Sequence, residues 1–332
     1  TFQLSPDNTA LVYVHNNQLI MTDAFGKNRQ ILVTGQPYPS DDDDVPGVSP
    51  WHMKDAIHSP MWAPTGDKIA FVMGGVQLIQ TDSVPNGIEP KMIQPNIPKP
   101  CEDCGSVTPV YLARPESWSP NGRFLTIQQT LVAVHAEEWA TAVADLETDT
   151  VIFPPFSSSA AHYTIWKPDS STAYIWNDHD FYDGYPSSLE LYDPIMQTVT
   201  PIITNSRNWG EIGEHYRWLR YPMLTAGGEL YFFFNHEPEF PQWPPTFTLM
   251  KTTERFWETG ELSDLTTVFP HTLPISYVKW APQHEGALLY LDTDDQSESS
   301  KKVENWYWLS LIDDGLAPLN LPEKCHFITW PK

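Results

Sequence analysis

Three aspartates, Asp178, Asp180 and Asp183, lie close together in the segment 177–184. Their Asp-x-Asp-x-x-Asp-Gly spacing places several oxygen ligands on one tight turn, and Ca²⁺ binds donors of this type. The segment lacks the downstream bidentate glutamate of a helix–loop–helix calcium site, so that class of site is excluded. Ca²⁺ is therefore the candidate cofactor of this turn, and a solvated acidic hairpin is the alternative, because aspartate is common in turns.

Aromatic and acidic side chains are concentrated in five long segments that separate the apolar runs of the chain, at 41–52, 177–186, 204–215, 235–245 and 292–306. Aromatic rings flanked by carboxylates suit sugars, which stack and donate hydroxyl groups, and also peptide or cationic ligands. The alternative is that the aromatic rings pack the long loops onto the protein. The candidate ligand-binding residues are Trp51, Trp176, Tyr182, Tyr185, Trp209, Glu211, Glu237, Phe240 and Trp243.

Cys101 and Cys104 form a Cys-Glu-Asp-Cys loop, which suits a local disulfide outside the cytoplasm, two free thiols or half of a zinc knuckle. The second half of a knuckle is missing, because the third cysteine, Cys325, stands alone beside His326. The disulfide and the free thiols remain as the main alternatives.

Charge and hydropathy exclude two classes of partner. The 332 residues include 42 acidic and 19 basic side chains, which gives a net charge of −23. Nucleic acids and anionic membranes require clustered Lys and Arg, so neither is expected as a partner. No apolar run approaches the length of about 18 residues that a membrane-spanning helix needs. Because the chain begins at Thr1 without a leader, we expect a processed product or part of a larger, anchored protein.

One pentapeptide recurs along the chain: an aromatic residue or Leu, a small or polar residue, Pro, and a turn pair. Apolar runs of four to six residues follow each copy, and no window shows the 3.6-residue period of a helix. One strand before each turn and three after it make a four-stranded antiparallel unit. The turns lie at Pro6, Pro64, Pro120, Pro168 and Pro282, with a degenerate copy at Thr225.

Six such units predict an all-β, six-bladed β-propeller that occupies residues 1–332 as a single domain. Tryptophan of the pentapeptide is expected to fill the space between adjacent sheets. The first unit has only the short segment Phe2–Leu4 before its turn. We therefore predict that residues 326–332 form a closing strand that joins the first blade.

Trp118-Ser119-Pro120-Asn121-Gly122, followed by a strand, resembles the TolB-type propeller repeat, and the resemblance covers essentially the whole chain. It implies a bacterial, extracytoplasmic location, either periplasmic, secreted or tethered at the cell surface. Members of this family include periplasmic scaffold proteins, sensor domains, lids of prolyl-oligopeptidase-like enzymes and oligogalacturonate-lyase-like enzymes. The family therefore indicates the architecture and leaves the activity open.

Two functions remain after this comparison of motifs. The chain lacks the Gly-x-Ser-x-Gly nucleophile elbow, which favours a non-enzymatic binding, sensor or scaffold module for a glycan or a protein segment. The alternative is a metal-dependent polysaccharide lyase or hydrolase with a His/Asp site at the channel mouth. For that site, His162, His215 and His271 are expected near the starts of innermost strands, where three imidazoles would bind Mn²⁺, Zn²⁺ or Fe²⁺.

Overall fold

The computed structural model describes most of the chain. The described residues are 2–35, 56–81, 89–98, 110–132, 139–155, 161–178, 188–203, 216–225, 227–237, 246–259, 262–281, 285–291, 306–313 and 315–319. They form 25 strands in six antiparallel sheets. By contacts the chain divides into two compact units, Thr1–Ile175 with Tyr192–Val199, and Trp176–Leu191 with Thr200–Lys332.

The first three sheets follow one another along the chain and belong to the first unit. The first sheet contains β1 (Phe2–Leu4), β2 (Ala10–His15), β3 (Gln18–Asp23) and β4 (Gln30–Thr34). The second contains β5 (His58–Trp62), β6 (Lys68–Val72), β7 (Gly75–Gln80) and β8 (Lys91–Pro95). The third contains β9 (Ile97–Pro98), β10 (Val110–Trp118), β11 (Phe124–Val132), β12 (Trp139–Asp145) and β13 (Thr150–Ile152).

The last three sheets have four strands in sequence order, as the first two sheets do. In the third sheet β9 is an additional edge strand, and β10 corresponds to the first strand of the other sheets. The fourth contains β14 (Ala161–Trp166), β15 (Ala173–Asp178), β16 (Ser188–Asp193) and β17 (Thr198–Ile203). The fifth contains β18 (Tyr216–Leu224), β19 (Leu230–Glu237), β20 (Phe247–Lys251) and β21 (Thr266–Leu273). The sixth contains β22 (Ile275–Trp280), β23 (Gly286–Leu291), β24 (Trp306–Ser310) and β25 (Leu316–Pro318).

The recurring pentapeptide forms the turn between the first and second strands of a sheet, as the sequence predicts. In the second turn the Gly66 N–H donates to the Ala63 carbonyl at 2.9 Å, and in the third the Gly122 N–H donates to Ser119 at 2.8 Å. The last residue of each turn needs a positive φ, 76° at Gly66 and 62° at Ser170. Glycine reaches this conformation without a steric cost, which explains its use in the motif. The degenerate fifth copy closes in the same way, through Gly228 N–H and Thr225.

Tryptophan of the pentapeptide packs against the preceding sheet, as expected. Trp62 lies in the cluster that contains Val12 and Leu19 of the first sheet. Trp166 stacks on Phe124 of the third sheet with ring centroids 5.5 Å apart. In the second unit Trp280 stacks on Phe233 at 5.7 Å. Each sheet therefore covers an apolar face of its neighbour, which a single four-stranded sheet could not bury alone.

The first sheet contains the short segment before the first turn as a strand. Phe2–Leu4 forms β1 and pairs with β2, so that Phe2 lies opposite Tyr13 and Leu4 opposite Leu11. Residues 320–332 lie outside the described residues, so the closing strand itself stays a prediction.

One short helix departs from the purely β pattern of the sequence. Helix α1 (Glu254–Thr259) lies between β20 and β21 and is followed by a 3-10 turn, Leu262–Asp264. The hydroxyl of Thr253 accepts the Phe256 N–H at 3.1 Å and caps the helix. Phe256 is buried, which anchors the helix. A six-residue helix is too short to produce a recognisable 3.6-residue period.

Candidate functional site

Each sheet has two ends, which differ in the strands that they connect. We call the end with the first-to-second and third-to-fourth connections the turn end, and the opposite end the insertion end. At the turn end the pentapeptide turns span only a few residues, for example 63–67 and 119–123. The five aromatic and acidic segments all join second to third strands or one sheet to the next, so the strand bounds confirm that they emerge at the insertion end.

Most of the predicted ligand-binding residues lie within these insertions. Asp178 and Glu237 are the last residues of β15 and β19, and the backbone thus places both at the insertion end. The backbone of Glu237 pairs with Tyr216 at the start of β18. Outside the described residues are Trp51, Tyr182, Tyr185, Trp209, Glu211, Phe240 and Trp243, together with Asp180 and Asp183 of the predicted Ca²⁺ turn.

Trp176 has a different role from the predicted one. Its side chain is only 5% exposed. Its indole N–H donates to the Leu219 carbonyl at 2.8 Å, and its ring contacts Tyr221 at a centroid distance of 6.2 Å. Because β18 covers the ring, Trp176 cannot serve as a stacking platform for a sugar. The ring instead packs β15 against β18, which agrees with the alternative that aromatic residues of these segments serve packing.

The predicted three-histidine site also needs correction. His162 is the second residue of β14, a first strand, as expected, and His215 lies outside the described residues. His271 instead belongs to β21, the fourth strand of its sheet, where it is exposed and contacts Phe269 edge to face. Among the described residues, no group of three His, Cys, Asp or Glu side chains could hold a metal ion.

A polar group on the first strands was not predicted. Arg114 of β10 is exposed and donates twice to the Gln128 side chain, once at 2.8 Å from Nε. His58 of β5 lies close enough to sense the Arg114 charge, and its Nδ1 is 3.0 Å from the Ser59 hydroxyl. Burial lowers the pKa of His58, and the Arg114 charge lowers it further. The imidazole is therefore neutral at neutral pH, beside a permanent cation.

Glu116 occupies the contact between the third and fourth sheets. One carboxylate oxygen accepts the Thr126 hydroxyl at 2.6 Å, and the other accepts the Thr164 N–H of β14 at 3.1 Å. Burial raises the pKa of Glu116, although these hydrogen bonds oppose the rise. Both oxygens are used within the protein, so Glu116 joins two sheets and is not available to a ligand.

The sequence places His58, Arg114 and Glu116 on strands of the same kind, but it does not show which of these side chains lie close together. His58, Arg114 and Glu116 all lie a few residues before a pentapeptide turn, on strands that the repeat predicts to be first in their sheets. Side chains on successive first strands are near one another in a propeller. Which of them face each other depends on the strand register and on the irregularities between Pro115 and Ser117 and between His58 and Met61.

Comparisons with known proteins give the fold. No family model matches the chain, and no curated protein matches it. An oligogalacturonate lyase solved with manganese is similar over 98% of this chain and 77% of its own, with 9% identity and a TM-score of 0.61. The oligogalacturonate lyase of Vibrio parahaemolyticus is similar over 95% of this chain and 75% of its own, with 10% identity and a TM-score of 0.60.

TolB from Acinetobacter baumannii is similar over 96% of this chain and 62% of its own, with 15% identity and a TM-score of 0.43. At such identities these likenesses show the fold alone. The predicted resemblance to a β-propeller fold, which oligogalacturonate-lyase-like enzymes share, is confirmed at that level by the two lyase structures. No helix in the described parts of the chain is long and apolar enough to cross a membrane.

Proposed function

We propose that this chain is a non-enzymatic binding module that acts outside the cytoplasm and recognises a glycan or a protein segment at its insertion end. The observation that carries the proposal is the placement of the insertions. Each of the five segments rich in aromatic and acidic residues leaves its own sheet at the insertion end, whereas the short pentapeptide turns lie at the opposite end of a sheet. Loops on a rigid scaffold are where binding residues concentrate.

Arg114 narrows the ligand further. An exposed guanidinium on a first strand, fixed by Gln128, is suited to bidentate recognition of a carboxylate. The insertions supply rings and hydroxyl acceptors. A glycan or peptide segment that carries a single carboxylate combines both requirements, whereas the net charge of −23 would repel a highly acidic ligand.

A screen of neutral and acidic oligosaccharides by thermal shift tests the proposal, because a ligand that binds the folded state raises its melting temperature. The double variant Trp209→Ala/Trp243→Ala should abolish the shift. Phe25→Ala is the matched control, since Phe25 is 89% exposed in the β3–β4 connection at the turn end. If the double variant kept the full shift, ligand recognition at the insertion end would be wrong.

A second candidate is a metal-dependent polysaccharide lyase or hydrolase. The observation that favours it is that burial, and then the charge of Arg114, lower the pKa of His58, because a neutral base can remove a proton while a cation holds a uronate carboxylate. Metal analysis of protein purified without chelator, with an assay for unsaturated products on a uronate polymer, separates the candidates. Arg114→Lys should remove any turnover, whereas a protein that binds the polymer without turnover supports the binding module.

A further inference from the structure

The turns of successive sheets contact one another in the first unit. The hydroxyl of Ser170, the fifth residue of the fourth turn, accepts the N–H of Asn121, the fourth residue of the third turn, at 3.0 Å. Gly122, the fifth residue of the third turn, lies against Thr65, the fourth residue of the second. A Cβ on Gly122 would be 2.8 Å from the Thr65 hydroxyl. At both junctions, therefore, the fifth residue of one turn contacts the fourth residue of the turn before it.

The junction between the first and second turns is open instead. By the same pattern Gly66 should meet Asp7, but the nearest atom to a Cβ built on Gly66 is Cδ of Pro6, 3.9 Å away. A cleft of about 490 Å³ occupies this place. It is lined by Ser5, Pro6, Asp7, Thr9, Ala10, Trp62, Pro64, Thr65 and Gly66. Its volume falls within the range of small-ligand pockets, about 300–1,000 Å³.

The cleft presents a fixed negative charge beside apolar surface. Asp7 Oδ1 accepts the Ser5 hydroxyl at 2.6 Å and the Thr9 N–H at 3.1 Å. These bonds, that from Ser5 foremost, lower the pKa of Asp7 to about 2, so it stays ionised at any physiological pH. Pro6, Pro64 and Ala10 contribute the apolar part of the lining. The nearby ammonium of Lys68 is already paired with Asp67.

We propose that this cleft is a second binding site, separate from the insertion end, which accepts a Lys or Arg side chain of a protein partner. The aliphatic stem packs on the two prolines, and the cationic head binds the Asp7 carboxylate. A cationic partner is also favoured at long range by the net charge of −23. The site lies at the turn end, so the insertion end can hold its own ligand at the same time.

The repeats themselves supply substitutions that preserve the turn. Asp7→Asn removes the charge and recreates the third turn, where Asn121 Oδ1 accepts the Ser119 hydroxyl at 2.8 Å and the Arg123 N–H at 3.0 Å. Gly66→Asn places an amide in the cleft and recreates the first turn, where Asn8 holds the same position at a φ of 59°. Neither change should disturb folding.

Asp169→Asn is the matched control. Asp169 holds the position of Asp7 in the fourth turn and accepts the Ser171 N–H at 3.0 Å. Its substitution removes the same charge from the same kind of turn, and it leaves the cleft intact.

Binding is measured by fluorescence polarisation of a labelled acetyl-Gly-Pro-Arg-Pro-Gly peptide, with the citrulline peptide as its uncharged analogue. We expect Asp7→Asn to weaken binding about tenfold, the effect of losing one charge-assisted hydrogen bond, Gly66→Asn to weaken it by filling the cleft, and Asp169→Asn to change it less than about twofold. Equal losses from Asp7→Asn and Asp169→Asn would show attraction by overall charge alone and would overturn the proposal. Binding of the citrulline peptide as tightly as the arginine peptide, or no binding of the arginine peptide to the wild-type chain, would do the same.

Discussion

At the scale of single residues, the tryptophan of the pentapeptide packs one sheet against the next. Its indole N–H donates a hydrogen bond in some repeats and not in others. The Trp280 N–H donates to the Tyr221 carbonyl at 2.8 Å, and that of Trp62 donates to the Gln3 carbonyl at 3.3 Å. The Trp118 N–H is buried and has no hydrogen-bond partner within the described residues. Equivalent positions in the repeat therefore differ in their energetic contribution, because a buried donor without an acceptor opposes folding.

This difference predicts that Trp280→Phe destabilises the protein by about 1 kcal/mol more than Trp118→Phe. Both variants lose the same ring volume, but only Trp280→Phe also removes the indole hydrogen bond to the Tyr221 carbonyl. Urea unfolding followed by circular dichroism measures the two free energies. Equal losses would mean that the indole hydrogen bond contributes nothing to the junction.

Glu116 predicts a pH dependence. Because its pKa in the folded protein is raised above the ordinary value of 4.5, the folded state holds the proton more tightly than the unfolded state. The stability that this group contributes is therefore complete below its unfolded pKa and falls as the pH rises through the folded pKa. Glu116→Gln cannot titrate and should lack this fall. Urea unfolding of the wild-type protein and of Glu116→Gln, from below the unfolded pKa to above the folded pKa of Glu116, measures the two free energies of unfolding. If both fell in parallel as the pH rises, Glu116 would not be the group responsible.

At a few residues the structure differs from the sequence-based prediction, because their environment depends on residues far away in the chain. Trp176 ends an apolar run and begins a long insertion, so its neighbours in sequence fit either a buried or an exposed ring equally well. Only the position of Leu219, far along the chain, decides that the ring is buried. His271 was expected near the start of an innermost strand, but it lies in β21, the fourth strand of the fifth sheet, whose unit lacks the Pro turn and is weakly marked in the sequence.

At the scale of elements, β1 is held by the second sheet as well as by its own. The Gln3 side chain accepts the backbone N–H of Trp62 at 2.6 Å, and the Gln3 carbonyl accepts the Trp62 indole N–H. A three-residue strand has few ladder bonds of its own, so these two contacts fix its position.

Gln3→Ala should therefore lower the free energy of unfolding by about 1–2 kcal/mol, because it leaves the Trp62 N–H without an acceptor. Native-state hydrogen exchange should also show faster exchange in β1 and β5. Gln80→Ala is the control, since Gln80 is an exposed strand residue of the same type, and it should change stability by less than about 0.5 kcal/mol. Unchanged exchange in Gln3→Ala would show that β1 does not depend on the second sheet.

Turns and sheets were the elements that the sequence predicted best. Each pentapeptide marks where a first strand ends and a second begins, because proline fixes φ and glycine or asparagine accepts a positive φ. A strand without such a marker was missed, namely β9 with two residues. Contacts between sheets, such as that of Glu116 with Thr164, depend on register and twist and were not predictable from the spacing of the repeat.

At the scale of the whole molecule, the charge of −23 is the dominant property. Like charges repel one another in the compact state and oppose folding, and dissolved salt screens this repulsion. An increase in NaCl from about 0.01 M to about 0.15 M shortens the Debye length from about 30 Å to about 8 Å.

The melting temperature should therefore rise over this range of NaCl, by about 2 °C or more, and then level off as screening becomes complete. Differential scanning calorimetry at fixed pH measures the change. A melting temperature that stays constant or falls would show that paired charges, such as Arg123 with Asp145, outweigh the repulsion.

The close approach of Gly122 to Thr65 limits how such a chain can grow during evolution. Repeat proteins are commonly thought to lengthen by duplication of a unit, and each copy must then fit against whichever unit precedes it. A second turn copied to a new place would bring a threonine whose side chain would have to move if the facing residue carried a Cβ. Duplication of pairs, with both partners of a junction carried together, is the route that the contact permits.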